Sequence, residues 1–90
     1  MVKNYNEVLV EQYLHELLDS DPKYKDTCRC EECIDDMMAK TLNNIKPFYV
    51  TSKRGEVYGQ FRSKDLQVKS DIIQELVRAV EWVSRYAHHG

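Results

Sequence analysis

Cys28-Arg29-Cys30-Glu31-Glu32-Cys33-Ile34-Asp35-Asp36-Met37-Met38-Ala39-Lys40-Thr41-Leu42-Asn43-Asn44-Ile45-Lys46-Pro47 is the stretch of this 90-residue chain that decides its fold class. Ile34, Met37, Met38, Thr41, Leu42 and Ile45 recur at the spacing of one helical face. Asp35 and Asp36 stand in the early turns, where the helix dipole favours acids. A helix over about 31 to 44 follows, and Pro47, with no N–H to donate, ends it. All three cysteines of the chain lie just ahead of this helix or in its first turn, at C-x-C-x-x-C spacing.

Three thiolates on so short a stretch suit a metal ion. Zinc takes four nitrogen or sulfur ligands in a closed tetrahedral site, so Cys28, Cys30 and Cys33 supply three. His15, His88 and His89 are candidates for the fourth. The helix N-terminus adds free N–H groups and a positive dipole end, both of which stabilise thiolates. A disulfide framework fits poorly: the cysteine count is odd, the spacings are too tight for useful loop closure, and no secretory segment is expected. A redox role for Cys30-Glu31-Glu32-Cys33 lacks a surrounding βαβ pattern, and an iron–sulfur cluster lacks a fourth thiolate. The plain structural alternative is three buried, reduced cysteines.

Upstream, Leu9, Val10, Tyr13, Leu14, Leu17 and Leu18 repeat at helical spacing behind Asn4-x-x-Glu7, which resembles a capping box, so a first helix is expected over about 5 to 19. Asp19-Ser20-Asp21-Pro22 stops it. Downstream, Phe48-Tyr49-Val50-Thr51 and Glu56-Val57-Tyr58-Gly59-Gln60-Phe61 flank the turn-like Ser52-Lys53-Arg54-Gly55 and are expected to form a small β-hairpin. A last helix begins near Ser63 to Asp65, with Ile72, Ile73, Leu76, Val77, Val80, Val83 and Ala87 on a wide apolar face. Met37, Met38, Ile45, Trp82 and Tyr86 are read as core. The expected fold is therefore mainly α with a small β-hairpin (α+β), three main helices in one compact single domain over residues 1–90. The width of the last apolar face points to a homodimer whose seam lies around Val80, Trp82 and Val83.

Composition sets the bounds. At 42% hydrophobic and 31% charged, with three glycines and two prolines, the chain is globular rather than disordered. A chain this short buries only roughly 60 to 65% of its unfolded surface, so a metal or self-association would add needed stability. No apolar run approaches the roughly 18 residues of a membrane span, and a cytoplasmic location is expected. The net charge of −2 conceals a segregation: residues 1 to 45 carry −5, residues 46 to 64 carry +4, and residues 65 to 90 carry −1. Such a basic island attracts a phosphate-bearing ligand while the acidic remainder repels long polyanions, so nucleic acid is not an expected partner. There is no P-loop, dinucleotide fingerprint or Ser/His/Asp order.

Thr41-Leu42-Asn43-Asn44-Ile45-Lys46-Pro47-Phe48-Tyr49-Val50-Thr51-Ser52, followed by Gly55 and Tyr58, resembles the signature of the late competence protein ComFB family. In that family an A-L-N-x-(L/I)-x-P-x-Y motif joins a helix to a short β segment, and the cysteine cluster resembles the zinc-binding subset. The resemblance covers about residues 5 to 87. This chain departs from the pattern at Thr41, where a small residue is usual, at Asn44, where a basic residue is frequent, and at Lys46, where a second proline is frequent. The resemblance implies a small helical bacterial homodimer without catalytic activity. Some members are linked to competence, and cyanobacterial relatives look like receptors for cyclic di-GMP.

That ligand presents two phosphates and two guanines. A receptor needs cations for the phosphates, Arg forks for guanine O6 and N7, and flat side chains for stacking. Lys46, Tyr49, Lys53, Arg54, Tyr58 and Arg62 offer all three. The expected function is thus a non-enzymatic signalling module, a cyclic di-GMP receptor with a structural zinc site that relays to a protein partner. The alternative is a zinc-stabilised, competence-related adaptor that binds no nucleotide.

Overall fold

Three amphipathic helices pack their apolar faces together, and a fourth, shorter helix lies across one end of them. The computed structural model of the chain describes residues 2–51 and 53–87. The elements in order are β1 (Lys3–Asn4), α1 (Asn6–Ser20), a 3-10 turn (Pro22–Tyr24), α2 (Glu31–Leu42), β2 (Tyr49–Val50), α3 (Lys53–Ser63) and α4 (Leu66–Trp82), which runs on into a π-helical turn (Val83–Ala87). Among the described residues the domain is mainly helical, with four α-helices where three were expected.

α1 buries Leu9, Val10, Tyr13, Leu14 and Leu18 on one face. Asn4 does not cap it in the expected box. Its Oδ1 instead accepts from the backbone N–H of Asn6 (3.1 Å) and of Phe48 (3.0 Å), so one side chain ties the start of α1 to the segment after α2. Tyr5 adds a backbone bond to the Phe48 carbonyl at 2.7 Å. This clamp explains the sheet: β1 and β2 pair antiparallel, Lys3 opposite Val50 and Asn4 opposite Tyr49.

α2 buries Cys33, Met37 and Thr41, with Ile34, Met38, Leu42 and Ile45 packed at its margin. The Thr41 hydroxyl donates to the Met37 carbonyl at 2.9 Å, which lets a polar residue sit in the core. α4 starts at Asp65, whose Oδ1 accepts from the N–H of Gln67 and Val68, and it buries Ile72, Leu76, Ala79 and Val80. Val80 and Val83 are each 1% exposed within the single chain, so they cannot form the expected dimer seam. Trp82 and Tyr86, expected in the core, lie outside it. Their rings pack against each other at a tilt of 48°, with centroids 5.6 Å apart, and Lys40 sits 4.7 Å from the Trp82 ring.

The expected hairpin is not formed. Its first strand exists but pairs with β1, and its second, 56 to 61, is the middle of α3. The reason lies in which residues α3 turns inward. Gly55, Gly59, Arg62 and Ser63 form its buried or half-buried stripe at helical spacing, and this stripe is nearly devoid of apolar side chains. A Cβ on Gly55 would come 2.6 Å from the Val50 Cβ, and one on Gly59 would come 2.6 Å from the Tyr5 ring. Glycine is required at both because the helix backbone itself approaches its neighbours. The Tyr13 hydroxyl donates to the Ser63 carbonyl at 3.2 Å and fixes the far end of α3 on α1.

Candidate functional site

Cys28, Cys30 and Cys33 converge where the loop from α1 enters α2. Their sulfurs lie within 4.8 Å of one another. A tetrahedral site with Zn–S bonds of about 2.3 Å has edges of roughly 3.8 Å, so a contraction of about 1 Å closes the triangle on an ion. The three residues could therefore hold a metal ion. Cys30 is the N-cap of α2, extended at φ −67° and ψ 162°, and its Sγ accepts from the Cys33 N–H at 3.4 Å. The sulfurs thus stand at the positive end of the helix dipole.

The three thiols are electrostatically unequal. The backbone N–H of Cys30, and then the Cys30 and Cys33 side chains, hold the Cys28 thiol below its ordinary value. Burial, reinforced by hydrogen bonds and charge from Cys28 and Cys30, pushes Cys33 up to about 12. Of the two, Cys28 is the easier to deprotonate and Cys33 the harder. An incoming ion must displace the Cys33 proton.

Arg29, between the first two cysteines, ties the loop to α1. One guanidinium nitrogen lies 2.7 Å from Asp19 Oδ1 and the other 3.5 Å from His15 Nδ1. His15, a candidate fourth ligand, therefore faces Arg29, and among the described residues no histidine or carboxylate joins the three sulfurs. His88 and His89 lie outside the described residues.

The basic residues are distributed differently from the expected single hairpin. Lys46 and Arg62 line one cleft of about 540 Å³, together with Asn6 from α1 and Asp71, Ile72 and Glu75 from α4. Tyr49 in β2 and Tyr58 on the outer side of α3 are both exposed. The side chains of Lys53 and Arg54 lie outside the described residues. Arg62 is half-buried, its guanidinium 4.5 Å from the Phe48 ring, and its Nε has no hydrogen-bond partner among the described residues.

Asn6 is the residue the sequence reading missed. It is fully buried, its Nδ2 donates to the Lys46 carbonyl at 2.6 Å, and its Oδ1 is unpartnered among the described residues. That carbonyl requires a donor, so the amide cannot turn over to satisfy its oxygen. A signal was present: Asn6, Leu9, Val10 and Tyr13 share one helical face, and a polar residue on an apolar face asks for a partner. Asp71 and Glu75 carried no such signal, because acids on the exposed side of a helix are ordinary.

With cysteine triangle, clamp and fourth helix in place, kinship can be judged on the whole chain. Residues 3–87 match the late competence development protein ComFB family. The chain belongs to this family. Among solved structures it is similar to the late competence protein ComFB from Bacillus subtilis, with 29% identity and a TM-score of 0.72, covering 98% of this chain and 96% of that one. No curated protein matches the chain. Within this ComFB-family chain, the Leu42-Asn43-Asn44-Ile45-Lys46-Pro47-Phe48-Tyr49 junction is the segment that Asn4, Tyr5 and Asn6 clamp. Among the described residues no helix is long and apolar enough to cross a membrane.

Proposed function

We propose that this ComFB-family chain is a non-enzymatic, cytoplasmic signalling module, stapled by zinc at Cys28, Cys30 and Cys33, that binds cyclic di-GMP as a homodimer and relays its occupancy to a protein partner. The observation that carries the ligand reading is the cleft. Two cations from the basic island, Lys46 and Arg62, meet there with two buried polar atoms, Asn6 Oδ1 and Arg62 Nε, that have no partner among the described residues. Buried unpaired groups cost about 1 to 3 kcal/mol each, and a ligand that pairs them recovers that cost. Lys46 suits its phosphates, the Arg62 fork suits a phosphate or a guanine edge, and the exposed Tyr49 and Tyr58 rings offer flat surfaces to bases.

Zinc is the metal favoured by an all-sulfur donor set at a helix N-terminus. The fourth position is left for His88, His89 or an outside ligand. The interface of the homodimer is best supplied by Val57, Tyr58 and Phe61 of α3 and the adjacent Leu66, which are 50 to 81% exposed.

The same apolar face supports a second reading, a metal-stabilised adaptor that binds a protein partner there and no nucleotide. Calorimetry on folded, metal-replete protein separates the two. Saturable heat and thermal stabilisation with cyclic di-GMP are expected. Their absence at millimolar ligand would leave the adaptor.

A further inference from the structure

The cleft holds opposite charges apart. Its α4 wall presents Asp71 and Glu75, one helical turn apart, with Val68 and Ile72 between and beside them. Its other side presents Lys46 and Arg62 from separate elements. Despite this proximity, among the described residues no ion pair joins the two sides. Glu75 pairs along its own helix with Arg78 at 2.7 Å, and Asp71 accepts from Gln67 Nε2 at 2.9 Å. Lys46 and Arg62 have no carboxylate within ion-pair distance among the described residues. A cleft that served only phosphate would gain nothing from two carboxylates. One that served only a cation would gain nothing from Lys46 and Arg62.

Guanine is a flat ligand whose opposite edges carry opposite demands. Its O6 and N7 accept, and its N1–H and N2–H₂ donate. We infer that the cleft is a guanine subsite in which Glu75, supported by Asp71, accepts from N1–H and N2–H₂ while Arg62 donates to O6 and N7. This rests on the cyclic dinucleotide reading and names the residues that select the base. Glu75 is the main reader because its side chain is only 22% exposed, where a charge-assisted hydrogen bond is least screened. Phe48 beneath Arg62 holds the guanidinium plane at 4.5 Å, and Ile45, Val68 and Ile72 provide an apolar floor. The unpartnered, fully buried Asn6 Oδ1 offers an additional acceptor on the same side of the demand. Adenine would turn its N1 lone pair toward a carboxylate oxygen, so the cleft rejects it by repulsion as well as by a missing bond.

The test is calorimetric titration of the full, metal-replete chain with cyclic di-GMP, cyclic di-IMP and cyclic di-AMP, for wild type, Glu75→Gln and Asp71→Asn. Inosine keeps N1–H and O6 but lacks the exocyclic amine. Wild type should bind cyclic di-GMP about ten-fold more tightly than cyclic di-IMP, the scale of one good base-edge contact, and cyclic di-AMP most weakly. Glu75→Gln should lose about ten-fold for cyclic di-GMP and bring its ratio to cyclic di-IMP close to one, with a smaller change in Asp71→Asn. Equal affinity of wild type for all three ligands, or a ratio untouched in both variants, would overturn the inference and leave the dinucleotide reading intact. Binding of none of the three would remove that reading, and this inference with it. Should Glu75→Gln fail to fold, the wild-type ligand series and Asp71→Asn decide.

Discussion

α4 buries Ile72, Leu76, Ala79 and Val80 and turns most of its charges, Glu75 apart, to solvent, whereas α3 turns Gly55, Gly59, Arg62 and Ser63 inward and leaves Val57, Tyr58 and Phe61 in solvent. The first helix is held by interdigitated side chains. The second is held by close approach of its backbone to Val50 and the Tyr5 ring, by one hydrogen bond to Ser63, and by Arg62 over Phe48. Two helices of one small domain thus dock by different physics, and only the side-chain mode leaves an apolar period in the sequence. The backbone mode leaves apolar residues exposed on the outer face.

The sharpest separation of the two modes comes from truncating the core. Leu76 is fully buried, so Leu76→Ala should cost about 2 to 5 kcal/mol. In a domain of this size that lowers Tm by at least about 8 °C, because each kcal/mol shifts it by about 4 to 8 °C. Urea unfolding should show one transition for all helices. A loss below about 1 kcal/mol would mean that α4 is not the centre of the core.

Gly59→Ala probes the other mode. The added Cβ meets the Tyr5 ring at 2.6 Å, and overpacking of this kind costs about 1 to 3 kcal/mol. The damage should be local: amide exchange should accelerate in α3, β1 and β2 while α1, α2 and α4 keep their protection. The sign decides. If α3 were not pressed on Tyr5, alanine's better helix propensity would stabilise the protein by about 1 kcal/mol instead.

This difference explains how far the sequence could be read. α1, α2 and α4 were legible within a few residues, because Leu9 to Leu18, Ile34 to Ile45 and Ile72 to Val83 repeat at helical spacing. The cysteine triangle was legible because its ligands are neighbours in sequence. α3 was not, since Val57, Tyr58 and Phe61 have β propensity and its buried stripe is glycine, arginine and serine. The partner of β2 was hidden as well, because it depends on Asn4 reaching Phe48 across 44 residues. Trp82 and Tyr86 misled in the opposite direction: large rings suggest core, yet here they pack against each other, tilted, outside it. The cleft went unseen because Asn6, Lys46, Arg62 and Glu75 come from four parts of the chain.

The cysteine cluster that could hold a metal belongs to the legible half, but its protonation does not. A Cys33 thiol raised to about 12 carries a proton at neutral pH, and the metal binds the thiolate. Affinity should therefore fall as pH is lowered, by about ten-fold per pH unit for each proton displaced, or about 1.4 kcal/mol. Competition with a chelator between pH 6 and pH 8, followed by the sulfur-to-cobalt charge-transfer band of the Co²⁺ form, reads this directly. A flat profile would mean that fewer than all three sulfurs bind.

The smallest effect on the chain's own stability, and the most telling for its outer surface, should come from Phe61→Ser. Phe61 is 67% exposed, so the substitution removes little packing and should change the intrinsic stability of the chain by no more than about 0.5 kcal/mol. Its effect should appear in association. If α3 pairs with α3 of a second copy, wild-type Tm rises with protein concentration, since a dimer is stabilised by mass action, and Phe61→Ser abolishes that dependence. Sedimentation should show the dimer giving way to a 10.7 kDa species in the variant. Should the dimer persist in Phe61→Ser and in Val57→Ser alike, the seam lies off α3, and the backbone-docked helix keeps its apolar face for a different protein.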